Sequence, residues 1–344
     1  MDGFAVSAGA AERTLRLVGE SRAGAPAAVG VDRATAIRIA TGGVLPAGAE
    51  AVVPVERATV AGDRVTVHQA TEPGANVRRA GEDMRSGQVV LEAGRRLGAA
   101  ELAVAVGAGH GELTCHRRPR VALLGTGDEL REPGSRLRAG EIHDSNTVAL
   151  AALAGAAGAV VVHRGRIGDA PSGVRGALAR AFEGADLVVI SGGVSVGHHD
   201  HVKAGLAALG AGELFWGVAV RPGRPTWFGG RDGVLALGLP GNPVAAMVMF
   251  MLLGRPLLAG LEGAAPPAWT RARLSRPVTS HPARTEAVAV RLEDGGDGLT
   301  ALPSGPPGAH MTTSLLAADG LALVPAGAGT LAAGAGVDVE RLWP

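Results

Sequence analysis

Arg120-Val-Ala-Leu-Leu124 forms an apolar run that breaks at once into Gly125-Thr126-Gly127-Asp128-Glu129. A short apolar run bounded by a glycine turn predicts a strand that ends in a loop. The pattern recurs along the chain. Ala159–His163 predicts a second strand, Asp186–Ile190 a third that runs into Ser191-Gly192-Gly193, and Val234–Leu237 a fourth that ends in Gly238-Leu239-Pro240-Gly241-Asn242-Pro243. Helical stretches lie between them. Asp144-Ser145-Asn146 supplies capping residues for an alanine-rich helix through Ala157, Pro171–Glu183 predicts another, and a third follows Pro243. Strands alternating with helices imply a doubly wound parallel sheet. Ligands of such sheets bind beyond the carboxyl ends of the strands, where the three glycine-containing turns fall.

Outward from this core the pattern changes. Thr14–Val18, Thr35–Ala40, Ala51–Val55 and Arg64–His68 read as short strands separated by Gly, Pro and Asp, which predicts a β-rich N-terminal module. An Arg78-Arg79 pair, a Glu82-Asp83 pair and a helix-like stretch Ala99–Ala108 follow. Beyond Ala264, Pro266-Pro267 marks a linker, and the remainder returns to short strands and turns. The predicted fold class is multidomain α/β, a central doubly wound parallel sheet flanked by β-rich N-terminal and C-terminal modules. The predicted boundaries are 1–118, 119–263 and 264–344. At roughly 100–200 residues per domain, 344 residues accommodate two or three domains.

Composition narrows the function classes. A net charge of +1 gives no support to a nucleic-acid partner. Cys115 is the single cysteine, so the chain has no intramolecular disulfide framework and no zinc knuckle. The longest apolar run, Val244–Leu253, is half the roughly 20 residues a spanning helix needs, and no signal peptide precedes the first motif. The expectation is a cytoplasmic protein with no membrane partner.

The loops carry the chemistry. Gly125, Thr126 and Gly127 place backbone N–H groups at a strand end with little side chain in the way, which suits an anion such as phosphate. Asp128 and Glu129 follow, and two carboxylates beside a phosphate site suit Mg²⁺, which takes oxygen ligands and keeps several waters. An ordinary acidic helix start accounts for this segment equally well. Ser191, Gly192, Gly193 and Ser195 offer backbone and hydroxyl donors to a phosphate or a pterin edge, with Asp200 and Lys203 close behind. His198, His199 and His201 surround Asp200. Adjacent histidines splay apart on a helix, so a solvated helix start is expected there rather than zinc. In Pro240-Gly241-Asn242-Pro243, Asn242 suits the N-cap and Pro243 the first helical position. Arg221 and Arg224 flank a Pro-Gly turn, and guanidinium forks pair well with tetrahedral oxyanions.

Together these motifs resemble the molybdopterin molybdenumtransferase (MoeA / gephyrin E-domain) family along nearly the whole chain. Met1-Asp-Gly-Phe-Ala5 resembles its Met-Asp-Gly-Tyr-Ala element, and Thr41-Gly-Gly43 with Leu45-Pro-Ala-Gly-Ala49 resembles its Thr-Gly-Ala segment. Gly81-Glu-Asp83 resembles its Arg-Gly-Glu-Asp stretch. Gly125-Thr-Gly-Asp-Glu129, Ser191-Gly-Gly-Val-Ser-Val-Gly197 and Leu239-Pro-Gly-Asn-Pro243 resemble its pterin-binding domain. The resemblance implies a homodimer and Mg²⁺-dependent chemistry, in which adenylylated molybdopterin is bound, molybdate replaces AMP at the dithiolene and the molybdenum cofactor is released. It implies that Asp2, Asp128, Glu129 and Asp200 serve metal binding and adenylyl-bond cleavage. The Asp2 region would then come from the partner subunit, and Thr41 is counted among the substrate-binding residues.

The chain departs from the family in several places. A further segment normally precedes the Met-Asp-Gly element, which here begins the sequence, and weak dimerisation is the expectation. Arg221 and Arg224 stand where the family has lysines, Ala245 and Ala309 where it has serines, and His198 where it has Glu. Two other readings stay open at this point: a molybdopterin adenylyltransferase, and a divergent non-catalytic paralogue that binds pterin or acts as a scaffold.

Overall fold

The computed structural model describes residues 2–168, 170–195, 201–304, 308 and 310–342, the side chain of Ser172 excepted. His198, His199, Asp200 and Ala309 lie outside the described residues. The chain divides into two compact units, Met1–Glu92 with Ala99–His110, and Ala93–Gly98 with Gly111–Pro344.

The first unit holds β1 (Gly3–Val6), β2 (Arg13–Ser21), β3 (Thr35–Ile39), β4 (Ala51–Pro54), β5 (Ala58–Ala61), β6 (Arg64–Val67) and helix α1 (Ala99–Gly107). The strands form one sheet in the order β4-β1-β3-β2-β6-β5. Side chains alternate across it, as the pleat requires. Phe4 and Val6 join one buried cluster with Leu15, Val53 and Val65, while Ala5 joins Ile37, Ile39 and Val52 on the other face. Strand β1 was not predicted as a strand. Its glycine is obligatory, because a Cβ on Gly3 would collide with the carbonyl oxygen of Val53 on the neighbouring strand.

The second unit begins with β7 (Arg120–Thr126), the short parallel pair β8 (Leu130–Arg131) and β9 (Ile142–His143), α2 (Asn146–Ala156), β10 (Val160–Ile167), α3 (Pro171–Phe182) and β11 (Leu187–Ser191). It continues with α4 (Val202–Ala208), β12 (Gly212–Trp216), β13 (Val220–Arg221), β14 (Trp227–Arg231), β15 (Val234–Leu239) and α5 (Pro243–Met249). A π-turn at Phe250–Gly254 joins α5 to α6 (Arg255–Leu261). The central sheet has the order β10-β7-β11-β15-β14-β12. Alternate residues of each buried strand feed two cores. Val121, Leu123, Leu187 and Val189 pack with α2, α5 and the π-turn, whereas Ala122, Leu124, Val188 and Ile190 pack with α3 and α4.

The sheet is mixed, which corrects the expectation of a parallel one. β10, β7, β11 and β15 are parallel, but β14 and β12 extend it antiparallel. The turn from β14 to β15 is Asp232-Gly233, both at positive φ (50° and 81°). Asp-Gly with both residues left-handed is the two-residue turn whose twist suits a hairpin. That dipeptide was a legible signal of the missed strand.

The chain ends in β16 (Thr270–Leu274), β17 (Val278–Thr279), β18 (Thr285–Asp294), β19 (Leu299–Pro303), β20 (Gly320–Val324), β21 (Thr330–Leu331) and β22 (Gly336–Arg341). Strand β18 pairs with both β19 and β20, so β18-β19-β16-β22-β20 closes on itself as a small barrel around Leu274, Val290, Ala301, Ala322 and Val339. Closure removes the open edges that an isolated sheet leaves unpaired. Strand β13 adds to β18 from the central domain's own chain. The stretch Pro243–Leu261 runs 19 residues, long and apolar enough by composition to cross a membrane, yet half of its most apolar part is buried inside the unit. Phe250, Met251 and Leu258 are fully buried there, which marks it as a core helix.

Candidate functional site

The three glycine-containing loops that follow β7, β11 and β15 meet in one place. A cavity of about 270 Å³ lies there, lined by Thr126, Gly127, Glu129, Gly192, Gly193, Val194, Ser195, Pro225, Pro240 and Gly241. Its position at the carboxyl ends of adjacent parallel strands is where ligands of open α/β sheets sit.

Close backbone approach builds its floor. Gly192 and Gly193 have φ of 91° and 68°, a region that side chains with a Cβ rarely adopt. A Cβ on Gly192 would stand 2.6 Å from Thr126 Oγ1, and one on Gly193 would stand 2.6 Å from Val202 Cγ2. These glycines therefore let the β11 loop lie directly against the β7 loop. Ser191 is 2% exposed, and its hydroxyl donates to the Pro240 carbonyl at 3.2 Å. The Asn146 amide donates both to Ser191 Oγ at 2.8 Å and to the Gly241 carbonyl at 2.7 Å. Asn146 thus ties the β11 loop to the β15 loop. It was read from the sequence only as a capping residue.

Several predicted donors are committed elsewhere. The Gly127 N–H donates to the Ile167 carbonyl at 3.1 Å, and Gly125 lies inside strand β7. The Gly192 N–H donates to the Leu239 carbonyl at 3.0 Å. Among the described residues, the backbone N–H groups of Gly193, Val194, Ser195 and Gly241 make no hydrogen bond. The unbonded N–H groups of the described loop residues are therefore in the Gly193–Ser195 loop and at Gly241, whereas that of Gly127 is spent. Asn242 stands at the N-cap of α5 but makes no side-chain capping bond, and Pro243 takes the first helical position as expected. The cap of α2 comes from Asp144, whose carboxylate accepts from the Thr147 N–H at 3.0 Å and the Thr147 hydroxyl at 2.5 Å.

The predicted charged residues separate. Glu129 is exposed and lines the cavity, with its carboxylate folded back against Gly127. Asp128 does not line it; its carboxylate lies against Gly168 at the end of β10. Lys203 places its ammonium 4.3 Å over the ring of Trp216, a cation–π arrangement. Trp216 in turn donates its indole N–H to the Val194 carbonyl at 2.8 Å. Arg221 pairs with Glu286 on β18 of the C-terminal barrel at 3.1 Å. Neither arginine lines the cavity, although Pro225, next to the exposed Arg224, does. No group of three or more His, Cys, Asp or Glu that could hold a metal occurs among the described residues.

In the first unit, two motifs distant in sequence converge. The Asp2 carboxylate accepts from the Thr41 N–H at 3.0 Å and from its hydroxyl at 3.4 Å. Both residues are exposed.

Comparison with known proteins assigns the family. Residues 1–109 match the MoeA N-terminal region (domain I and II), 122–260 a probable molybdopterin binding domain, and 271–342 the MoeA C-terminal region (domain IV). The molybdopterin molybdenumtransferase 2 of Mycobacterium tuberculosis is 35% identical over 356 residues, an alignment covering 99% of this chain and 87% of that protein. The chain belongs to the molybdopterin molybdenumtransferase (MoeA) family. A molybdopterin molybdenumtransferase of Haemophilus influenzae is 39% identical over 266 residues, and there the alignment covers 76% of this chain and 66% of that protein. A crystal structure of the molybdopterin biosynthesis MoeA protein from Pyrococcus horikoshii superposes with a TM-score of 0.81 at 28% identity, covering 99% of this chain and 86% of that one. The MoeA family works in molybdenum-cofactor biosynthesis, and the cavity described above lies within the segment that matches its molybdopterin-binding domain.

Proposed function

We propose that this chain binds adenylylated molybdopterin at the ends of β7, β11 and β15 and inserts molybdate into it, with release of AMP and the molybdenum cofactor. One observation carries the reading: the cavity is lined by Gly193, Val194, Ser195 and Gly241, whose backbone N–H groups make no hydrogen bond among the described residues, together with the hydroxyl-bearing Thr126 and Ser195. Unbonded backbone N–H groups in a glycine-rich loop of this kind favour phosphate oxygens. The glycine floor leaves room for a flat pterin edge to approach the backbone.

Mg²⁺ fits the donor set. It binds through one or two carboxylates together with substrate phosphates and several waters, and Glu129 places one hard oxygen donor on the cavity. When bound, the ion would polarise the phosphoryl group and stabilise the leaving phosphate. The chain's own residues do the rest. The Gly193–Ser195 N–H groups hold and orient phosphate oxygens, Thr126 and Ser195 offer hydroxyl donors, and Pro240 and Pro225 shape the walls. Arg224 is proposed to receive molybdate from solvent at the Pro225 edge, with Arg221 withdrawn by Glu286. The homodimer and the share of Asp2 and Thr41 in its site are supported by the family resemblance, and Asp128 and Asp200 keep their proposed roles in adenylyl-bond cleavage on the same ground.

The test is incubation with adenylylated molybdopterin, Mg²⁺ and molybdate while AMP is followed. AMP release that depends on molybdate is the expected result. Tight binding without AMP release would make the chain a pterin-binding scaffold and overturn the enzymatic reading.

A further inference from the structure

Asn146 sits at the first turn of α2 and is not among the described residues that line the cavity. Its Nδ2 spends both hydrogens on two different loops, one on Ser191 Oγ at 2.8 Å and one on the Gly241 carbonyl at 2.7 Å. Its Oδ1 is buried without a hydrogen-bond partner among the described residues. A buried acceptor left unpaired is costly to the fold. The amide is therefore poorly explained as a stabilising group, since an apolar side chain would avoid that cost. Position explains it better. The backbone of Gly192 lies against Gly241, so any change in the spacing of the two loops moves the N–H groups of Gly193–Ser195 relative to that of Gly241.

We propose that Asn146 is a positioning residue. Its amide fixes the distance between the β11 and β15 loops so that their free N–H groups address one phosphate of the bound nucleotide-pterin. The proposal rests on the functional reading above for the identity of the ligand, but the loop spacing it asserts exists without ligand. Pre-set donors bind more tightly because little ordering remains to be done on binding.

Two variants and two readouts test it. In the ligand-free protein, Asn146→Ala should speed amide hydrogen exchange at Gly192, whose N–H is held by the Leu239 carbonyl, and at Val202, whose N–H is held by the Gly193 carbonyl, while the α2 amides from Leu150 onward keep their protection. Asn146→Ala should also bind adenylylated molybdopterin at least about tenfold more weakly, about 1.4 kcal/mol, with a nearly unchanged thermal midpoint. Asn146→Asp puts a carboxylate against the Gly241 carbonyl. Its affinity relative to wild type should recover as pH falls from 8 to 5, because burial raises a carboxyl's pKa and the protonated form regains one O–H donor. Unchanged loop exchange in Asn146→Ala overturns the proposal. So does an affinity loss matched by a large drop in thermal midpoint with no recovery in Asn146→Asp, which is the signature of a purely structural residue. If wild type fails to bind the ligand, the functional reading falls, and the exchange measurement still decides whether Asn146 positions the loops.

Discussion

Lys203 holds its ammonium 4.3 Å above the ring of Trp216, on the antiparallel strand that extends the central sheet. The indole N–H of that ring reaches the Val194 carbonyl at 2.8 Å. The extension thus anchors the middle of the loop that carries the free N–H donors. Trp216→Phe keeps a ring for Lys203 and removes only the donor. One neutral hydrogen bond contributes about 1 kcal/mol, so affinity for adenylylated molybdopterin should fall about fivefold. Calorimetric titration of the variant checks this, and equal affinity would mean that Val194 needs no anchor.

Arg221 and Arg224 should behave differently, although they flank the same short turn. Arg221 is already paired with Glu286, whereas Arg224 is exposed beside Pro225. A charge-assisted bond to an oxyanion is worth about 1.5–3 kcal/mol, so Arg224→Ala should weaken molybdate binding about tenfold or more. Arg221→Ala should weaken it by less than about threefold on the same scale. Molybdate titrations of the two variants side by side give the answer. A larger loss for Arg221→Ala would mean that the Glu286 pair opens on binding.

Glu129 is the one predicted carboxylate that lines the cavity among the described residues. Glu129→Gln keeps its size and removes the charge that a Mg²⁺ ion would seek. Molybdate-dependent AMP release should drop by about tenfold or more, with a higher Mg²⁺ requirement. Thermal stability should hold, because substitution of an exposed side chain outside the core changes folding little. An unchanged Mg²⁺ dependence would place the ion's protein ligand elsewhere.

The pair between Arg255 and Glu340 joins α6 to the C-terminal barrel at 2.7 Å, with the side chains 14% and 3% exposed. Burial pushes the Glu340 carboxyl above its ordinary range, while the Arg255 charge pulls it back. Arg255→Met removes the opposing charge and should destabilise the second unit by about 3 kcal/mol near neutral pH. The sign with pH follows from the raised carboxyl. A group whose folded pKa lies above its unfolded value favours folding below the unfolded value, and that contribution is lost as pH rises through the folded one. The variant's deficit relative to wild type should therefore widen between acidic and neutral pH. Urea denaturation at several pH values measures it, and a deficit constant with pH would show that Glu340 does not titrate in that window.

Much of the central domain was legible because its strands bury both faces and end in glycine turns. Arg120–Thr126, Leu187–Ser191 and Val234–Leu239 are where periodicity and punctuation put them, as are Asn146–Ala156, Pro171–Phe182 and the helix after Pro243. Strands β14 and β12 escaped because glycines and lone aromatics dilute their alternation, although Asp232-Gly233 marked the hairpin.

The sequence by itself determined the order of the four parallel central strands and the helices between them, the place of the three loops on the carboxyl edge of the sheet, and the resemblance that names the family. These follow from local signals: side-chain period, turn chemistry and short ordered motifs. Only the tertiary structure decided which donors remain free. A glycine turn looks the same in sequence whether its N–H is open or, as at Gly127, spent on the Ile167 carbonyl of the adjacent strand. The same holds for Ser191, whose hydroxyl is used by Pro240, for Arg221, held by Glu286, and for Asn146, whose partners lie 45 and 95 residues away along the chain. Each depends on a partner that a local pattern cannot identify, because hydrogen-bond accounting is closed by contacts across the fold.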